Sequence, residues 1–164
     1  MNYKVVGNIY GKLQDEQSRY IFSNRLLYSL TNDERYIQNV IYDSGGGRKL
    51  QKAIESHRGQ PLILFGAGFW GRRILRFFPN ENWCCYVDNI LSSETMIDGL
   101  QVISFEEMKK KYSAPFIVIA TRKYYKEIEK QLKDNGFDMK NTISSGRLSD
   151  EMIQNQYFET SVVA

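Results

Sequence analysis

The sequence predicts an α/β fold: a small Rossmann-like three-layer sandwich with a mostly parallel sheet, preceded by a helical amino-terminal segment. Short apolar runs alternate with segments of helical periodicity between about residues 58 and 144. Such alternation implies parallel strands that are joined by right-handed crossovers. The β-branched run within Ala114–Ala120 is typical of a strand that is buried on both faces. With 164 residues, the chain can hold one such domain and an accessory segment.

The amino-terminal segment, residues 1–44, is predicted to be helical. Apolar side chains recur at helical spacing from Leu13 to Leu30. Thr31-Asn32-Asp33 has the composition of a helix break, and the apolar residues of 36–41 suggest a second, shorter helix.

Three consecutive glycines, Gly45–Gly47, interrupt the chain after this segment. We expect them to form a flexible joint, because glycine favours non-helical linkers. Residues 48–146 then form the predicted Rossmann-like nucleotide-binding domain, and residues 147–164 form a tail that is predicted to be helical.

Within the α/β domain, each element has its own signal. Ser104 and Glu107 have the spacing of a capping box and open a helix, and Asn135-Gly136 ends the last one. Asp98-Gly99 is a good turn pair that closes a polar loop. The predicted order is helix 48–58, strand 62–65, a helix after Gly71, strand 83–87, loop 89–98, strand 100–103, helix 104–112, strand 114–120, helix 124–133 and edge strand 139–143.

The stretch PLILFGAGFWG, residues 61–71, predicts a nucleotide site. An apolar strand ends in Gly66-x-Gly68-x-x-Gly71 and a helix-like segment follows. In this pattern the first glycine permits the turn, the second lets the backbone approach a phosphate, and the third lets the helix pack closely. The helix amino terminus also favours an anion. The alternative is that the glycines serve packing alone.

A second signal is Asp88, which ends the next strand 22 residues after Gly66 and is placed to accept hydrogen bonds from ribose hydroxyls. The carboxyl ends of parallel strands meet at one edge, so the turn, Asp88-Asn89 and Thr121-Arg122 should converge there. The candidate ligand-binding residues are Gly66, Ala67, Gly68, Phe69, Trp70, Gly71, Asp88, Asn89, Thr121 and Arg122.

Each of the less specific positions has two interpretations. Thr121 and Arg122 would bind a phosphate or sugar, or would be a helix-capping threonine and a solvated arginine. Phe69 and Trp70 would stack on a base or wall off the pocket, or would pack against a neighbouring helix.

No catalytic residue and no metal ligand is predicted. His57 falls at the end of a predicted helix, and no Tyr-x-x-x-Lys pair, nucleophile elbow, Walker lysine or zinc spacing is present. Cys84 and Cys85 point to opposite faces of a strand and are expected to be reduced core residues.

The net charge and the distribution of apolar residues exclude several classes of protein. The net charge of +3 comes from scattered residues, whereas a nucleic-acid site needs a concentrated basic face. No apolar run is long enough for a membrane span and no secretory leader is recognisable, so a cytoplasmic location is expected.

Several phrases together resemble the amino-terminal region of bacterial FkbM-type methyltransferases. They are LQDEQSRYIFSNRLLYSLTND, LILFGAGFWGRRIL, YVDN, DGLQVIS, FEEMKKKY, FIVIATRKYYKEIEKQLKDNGF and NQYFE. The Rossmann-like part is also similar to nucleotide-sugar-binding domains of polysaccharide-biosynthesis proteins. The resemblance implies nucleotide-binding roles for Gly66, Gly68, Gly71 and Asp88.

In such methyltransferases, the resemblance implies, QYFE leads into a second α/β domain that binds S-adenosylmethionine. That domain is missing here, because the chain stops at Ala164, so either the chain is truncated or the module exists separately. Phe65 stands where S-adenosylmethionine sites usually place an acidic residue, which disfavours that donor in this domain.

The sequence therefore favours a nucleotide or nucleotide-sugar binding module that is not catalytic alone and is associated with a methyltransferase of glycan or polysaccharide biosynthesis. One alternative is an NAD-dependent sugar-modifying oxidoreductase. Another is a domain that binds no ligand and serves docking or oligomerisation. The expected ligand is a nucleotide-sugar or NAD(P), and the expected partner is a methyltransferase domain or a second copy of the chain.

Overall fold

The computed structural model describes residues 3–33, 35–37, 40, 45–91 and 95–145. The chain divides into two compact units between Arg48 and Lys49, one residue after the predicted glycine joint. The predicted helical tail, residues 147–164, lies outside the described residues. Within the described ranges, no helix combines the length and the apolar character that crossing a bilayer requires.

The first unit contains helices α1 (Tyr3–Lys12) and α2 (Glu16–Thr31). Asp15 caps α2, because its side chain accepts the backbone N–H of Ser18 at 2.7 Å. Asn32 ends α2 in the left-handed conformation with φ of 53°, so the predicted break after Thr31 is confirmed. Residues 35–37 and 40 are helical, while the rest of the second predicted helix lies outside the described residues.

The second unit is built on a six-stranded sheet in the order β3-β4-β2-β1-β5-β6. All neighbouring strands are parallel except β3 and β4, which form an antiparallel pair. The predicted fold class, α/β with a mostly parallel sheet after an amino-terminal helical segment, is confirmed. The strands are β1 (Leu62–Phe65), β2 (Trp83–Val87), β3 (Met96–Ile97), β4 (Leu100–Ile103), β5 (Phe116–Ile119) and β6 (Thr142–Ser144).

Helices cover both faces of this sheet. They are α4 (Phe69–Phe77), α5 (Phe105–Lys111) and α6 (Tyr125–Asp134). The helix before β1, numbered α3 (Gly45–Ser56), runs across the boundary between the two units. Met108 of α5 and Leu132 of α6 are fully buried in one cluster with alternate strand residues such as Ile63 and Ile117. On the opposite face, α4 lies against Tyr86 of β2. Because successive strand residues point to opposite faces, both central strands, β1 and β5, are buried throughout.

The capping box at the start of α5 is confirmed. Ser104 accepts the backbone N–H of Glu107 at 3.2 Å, and the Glu107 carboxylate accepts the backbone N–H of Ser104 at 3.0 Å. The two side chains thus satisfy donors that the first helical turn leaves unpaired.

Gly45–Gly47, which the sequence predicts as a flexible joint, are helical in the structure, where α3 begins at Gly45. Gly46 and Gly47 are buried, and the helix continues into Leu50 and Ile54, which are 5% and 3% exposed. Burial of such apolar side chains overrides the low helix propensity of glycine.

Two short elements also differ from the prediction. The polar loop contains β3, because Asp98 and Gly99 have φ of 49° and 82° and so form a tight hairpin turn that pairs Ile97 with Leu100. At the last strand, Met139–Asn141 is a 3₁₀ turn and β6 begins only at Thr142. The Asp138 carboxylate accepts the backbone N–H of Lys140 at 2.9 Å, which favours the turn over a strand.

One of the two cysteines departs from its predicted core position. Cys85 is buried, whereas Cys84 is exposed, and both are free thiols. The alternation of strand side chains was predicted correctly, but the Cys84 face of β2 is not covered at this position.

Candidate functional site

The candidate site lies where the strand order reverses. From β1 the chain moves through β2 to β4 on one side and then returns to β5 on the other side of β1. In open parallel sheets, ligands bind outside the carboxyl ends of the strands at such a point. A cavity of about 460 Å³ opens there. It is lined by Phe65, Gly66, Gly68, Phe69, Trp70, Asp88, Asn89, Ile90, Ala120, Thr121, Tyr124, Glu127, Ile128 and Gln131.

Gly66 makes the turn that leaves β1. Its φ is 112°, a left-handed conformation that disfavours any side chain. A Cβ at this position would also lie 3.3 Å from the carbonyl oxygen of Ala120. The backbone N–H of Gly66 donates to the carbonyl of Val87 at 2.7 Å. The turn is therefore held against the ends of both neighbouring strands.

Gly71 allows α4 to pack on this turn. A Cβ on Gly71 would lie 2.0 Å from the carbonyl oxygen of Gly66 and 3.2 Å from Cε1 of Tyr86. No side-chain rotation can relieve the first contact, because both partners are fixed backbone. Gly71 therefore has the packing role that the glycine pattern predicts.

Gly68 is different, because no heavy atom lies within 4 Å of where its Cβ would be. It is the residue before the first turn of α4, with extended φ and ψ of −78° and −163°. The fold therefore tolerates a side chain at Gly68, and the open space beside its backbone belongs to the cavity.

Asp88 connects the two loops at this edge. One carboxylate oxygen accepts the backbone N–H of Ala67 at 3.1 Å. The other accepts the N–H of Ile90 at 2.9 Å and of Leu91 at 3.3 Å. Asp88 lines the cavity as expected, but its oxygens are engaged by three backbone donors.

The structure brings seven of the ten predicted residues to the cavity wall: Gly66, Gly68, Phe69, Trp70, Asp88, Asn89 and Thr121. Ala67 and Gly71 are buried beneath the turn, and Arg122 is exposed outside the lining. Thr121 does not cap α6, because the residue before its first turn is Tyr124; the Thr121 hydroxyl accepts the backbone N–H of Tyr124 at 3.4 Å and so holds the loop that leads into the helix.

Phe69 and Trp70 do not pack into the core. Their side chains are 62% and 44% exposed, and the two rings meet edge to face with centroids 5.4 Å apart. The Arg73 guanidinium lies over the Phe69 ring at 4.5 Å, a favourable cation–π geometry. The aromatic pair is therefore accessible at the cavity mouth.

Sequence reasoning missed the wall that α6 contributes. Tyr124, Glu127, Ile128 and Gln131 line the cavity, and their spacing of 3, 4 and 7 residues places them on one helix face. Asn89 joins this wall to the loop after β2, because its amide donates to Oε1 of Gln131 at 2.9 Å. The signal was present as a mixed polar and apolar stripe, but only the strand order shows that this stripe faces the site.

The cavity combines apolar walls with carboxylates. Asp88 and Glu127 line it, and its described lining includes no lysine or arginine. Positive charge lies near the rim, where Lys123 Nζ is 4.9 Å from the Tyr124 ring centroid. A hydrogen bond with the Tyr124 hydroxyl raises the pKa of Lys123. The arrangement offers backbone donors at the turn and aromatic faces at the mouth. On the α6 side it offers a carboxylate that can accept hydrogen bonds from hydroxyl groups.

The remaining candidates for chemistry lie elsewhere. The His57 ring stacks on Phe116 with centroids 4.1 Å apart, and its Nδ1 is 2.7 Å from the carbonyl of Ala53. Among the residues that the structure describes, no cluster of three or more His, Cys, Asp or Glu side chains has a metal-binding arrangement.

Comparison with known proteins adds one finding. The model of the family described as C2185-like, N-terminal, matches residues 60–143, which span β1 to β6 and just over half of the chain. No curated protein and no solved structure matches the chain significantly. The family description names neither a methyltransferase nor a nucleotide-sugar, so the resemblance to FkbM-type proteins stays a prediction. The chain belongs to the C2185-like, N-terminal family.

Proposed function

We propose that the α/β unit is a nucleotide or nucleotide-sugar binding module. The observation that carries this proposal is the cavity at the reversal of strand order, which is bounded by the glycine turn, Asp88 and Thr121. Its volume of about 460 Å³ is within the range of small-molecule sites.

Each part of a nucleotide has a matching surface. The backbone at Gly68 and the first turn of α4 would hold a phosphate, because unpaired N–H groups and the helix dipole favour an anion there. Phe69, Trp70 and Tyr124 offer exposed aromatic faces on which a base would stack. A carboxylate of the lining would accept hydrogen bonds from sugar hydroxyls.

The module is proposed to act beside a separate catalytic domain. The family description places such domains at an amino terminus, which supports a role next to another part of a protein. That this part is a methyltransferase of glycan or polysaccharide biosynthesis rests on the resemblance of sequence phrases alone. The cytoplasmic location also stays a prediction.

A second candidate is a docking or oligomerisation domain. Phe69, Ile90 and Tyr124 are 62%, 91% and 51% exposed around the same cavity, and exposed apolar patches often mark contact sites. The third candidate, an NAD-dependent oxidoreductase that modifies sugars, predicts a change in NADH absorbance with a nucleotide-sugar substrate. No feature of the cavity favours it over simple binding.

A thermal-shift panel tests the proposal, with UDP-sugars, NAD, NADP, coenzyme A and S-adenosylmethionine as ligands. At ~100 times its dissociation constant, a ligand adds roughly 2.7 kcal/mol to the free energy of unfolding. We expect one nucleotide class to raise the melting temperature. If no ligand of the panel raises the melting temperature, the result would favour the docking candidate.

The variant Gly68→Leu sharpens this test. A Cβ at this position would meet no heavy atom within 4 Å, so we expect the fold to persist while the leucine side chain occupies space beside the turn and the ligand response is lost. Gly7→Leu is the matched control, because a Cβ on Gly7 would also have no heavy atom within 4 Å and Gly7 lies in the other unit.

A further inference from the structure

We propose that Glu127, and not Asp88, accepts the hydrogen bonds of a vicinal diol on the ligand, from either a ribose or a hexose ring. The inference rests on the proposed function, because it assigns one contact within the nucleotide site. It departs from the sequence expectation, which gives the ribose contact to the acidic residue at the end of β2.

Asp88 has little capacity left for a diol. A carboxylate offers about four acceptor positions, and three backbone N–H groups already use three of them at 3.1, 2.9 and 3.3 Å. A diol that donates two hydrogen bonds would have to displace one of these donors. The displaced donor belongs to the glycine turn or to the loop after β2, so binding there would loosen the site.

Glu127 differs from Asp88 in its hydrogen bonding. It lines the same cavity from the first turn of α6. Within the described part of the chain, its carboxylate accepts no hydrogen bond and forms no ion pair. Both oxygens are therefore available to two adjacent hydroxyl groups.

The wall around Glu127 is held in place. Gln131 lies one helical turn further along α6 on the same face, and it accepts a hydrogen bond from Asn89 at 2.9 Å. Ile128 is buried in the core cluster, which anchors this turn of the helix. Glu127 thus projects from a fixed surface toward the cavity.

Charge sets the orientation of the ligand. A phosphate near Glu127 would be repelled, because like charges a few ångströms apart disfavour one another. The helix α4, whose amino terminus attracts an anion, packs on the sheet face opposite to α6. The uncharged, hydroxyl-bearing part of the ligand is therefore expected to face α6.

The test compares ligands that have the diol with ligands that lack it. Isothermal titration would measure UDP against dUDP and ADP against dADP, and also UDP-glucose against UDP. The proteins are wild type, Glu127→Gln and Asp88→Asn. Glu129→Gln is the matched control, because Glu129 is on the same helix but outside the cavity lining.

Glutamine keeps the shape of Glu127 but loses the charge that strengthens an accepted hydrogen bond. We expect Glu127→Gln to weaken a ribonucleotide about tenfold and to leave its deoxy analogue unchanged if the diol is on the ribose. If the diol is on the hexose, the same loss should appear with UDP-glucose and not with UDP. Glu129→Gln and wild type should behave alike.

Two results would overturn the inference. If Glu127→Gln binds every probe as wild type does, or if Asp88→Asn is the variant that erases the preference for the hydroxyl, the diol contact is not at Glu127 and nucleotide binding still stands. If wild type binds none of the probes, the proposed function fails, and this inference fails with it.

Discussion

The carboxylate of Asp88 accepts a hydrogen bond from the backbone N–H of Ala67 at 3.1 Å. This bond joins the end of β2 to the glycine turn after β1. Because the same side chain also binds the backbone of the loop that follows it, Asp88 fixes two walls of the cavity relative to one another. Its primary role in the structure is thus to shape the site.

Asp88→Asn is expected to destabilise the protein by about 1–2 kcal/mol, because an amide nitrogen cannot accept the N–H groups that one carboxylate oxygen now accepts. Chemical denaturation of the variant and wild type measures this difference. Equal midpoints and slopes would show that the hydrogen bonds accepted by the replaced oxygen contribute nothing to folding.

Gly71→Ala should be severely destabilising although alanine is the better helix former. The new methyl group would lie 2.0 Å from the carbonyl oxygen of Gly66, so α4 and the turn must separate. We expect a loss of about 2–4 kcal/mol in the free energy of unfolding.

Gly68→Ala is the control for that substitution. The methyl group would meet no heavy atom within 4 Å, and we expect a change of less than about 1 kcal/mol. A comparable loss in both variants would mean that the close packing of Gly71 is not what the turn requires.

The Arg72–Asp98 ion pair predicts a specific pH dependence. Arg72 Nε donates to an Asp98 oxygen at 2.9 Å, and this hydrogen bond lowers the pKa of Asp98 below its ordinary value of 3.8. A carboxyl whose folded pKa is lowered stabilises the protein above its unfolded pKa, and that contribution is lost as the pH falls through the folded pKa.

Asp98→Asn isolates this contribution, because asparagine tolerates the left-handed backbone at φ of 49°. Wild type should melt higher than the variant at pH 7, and the two melting temperatures should converge below about pH 3.8. High salt should also reduce the difference between the two melting temperatures, since the ion pair is exposed. A gap that is constant from pH 7 to pH 3 would contradict the assignment.

The two adjacent thiols should react at very different rates. Cys84 is exposed, while burial raises the pKa of Cys85 to about 11, so little reactive thiolate forms there. A thiol reagent at pH 7.5 should label one cysteine in the folded protein and two after unfolding. Labelling of folded Cys84→Ser at the wild-type rate would show that Cys85 is accessible.

The central elements follow from local sequence. Leu62–Phe65 and Phe116–Ile119 are apolar runs that only a doubly covered strand can bury, and glycine at position 66 is nearly obligatory at its φ of 112°. The seven predicted cavity residues follow the carboxyl ends of β1, β2 and β5 or lie in the first turn of α4. Because the carboxyl ends of parallel strands lie at the same end of a sheet, parallel pairing alone brings these residues close together.

The remaining features depend on tertiary structure. Glu127 and Gln131 read as ordinary polar positions of an amphipathic helix until the strand order places α6 beside the glycine turn. The bonds of Asp88 to Ala67 and Ile90 could not be read from spacing either, because an acidic residue at a strand end serves a ligand or a loop equally well. Gly45–Gly47 are helical because burial outweighed propensity.

Amide NMR of the ¹⁵N-labelled protein, titrated with the nucleotide that the thermal panel selects, tests the central claim most directly. Binding at the reversal of strand order should shift the resonances of Gly66, Gly68, Trp70, Ile90 and Thr121. Resonances of residues at the opposite end of the strands, such as Lys109 and Ser113, should stay unchanged. If shifts are confined to that opposite end of the strands, or if no resonance shifts at saturating nucleotide, the result would contradict a nucleotide site at the glycine turn.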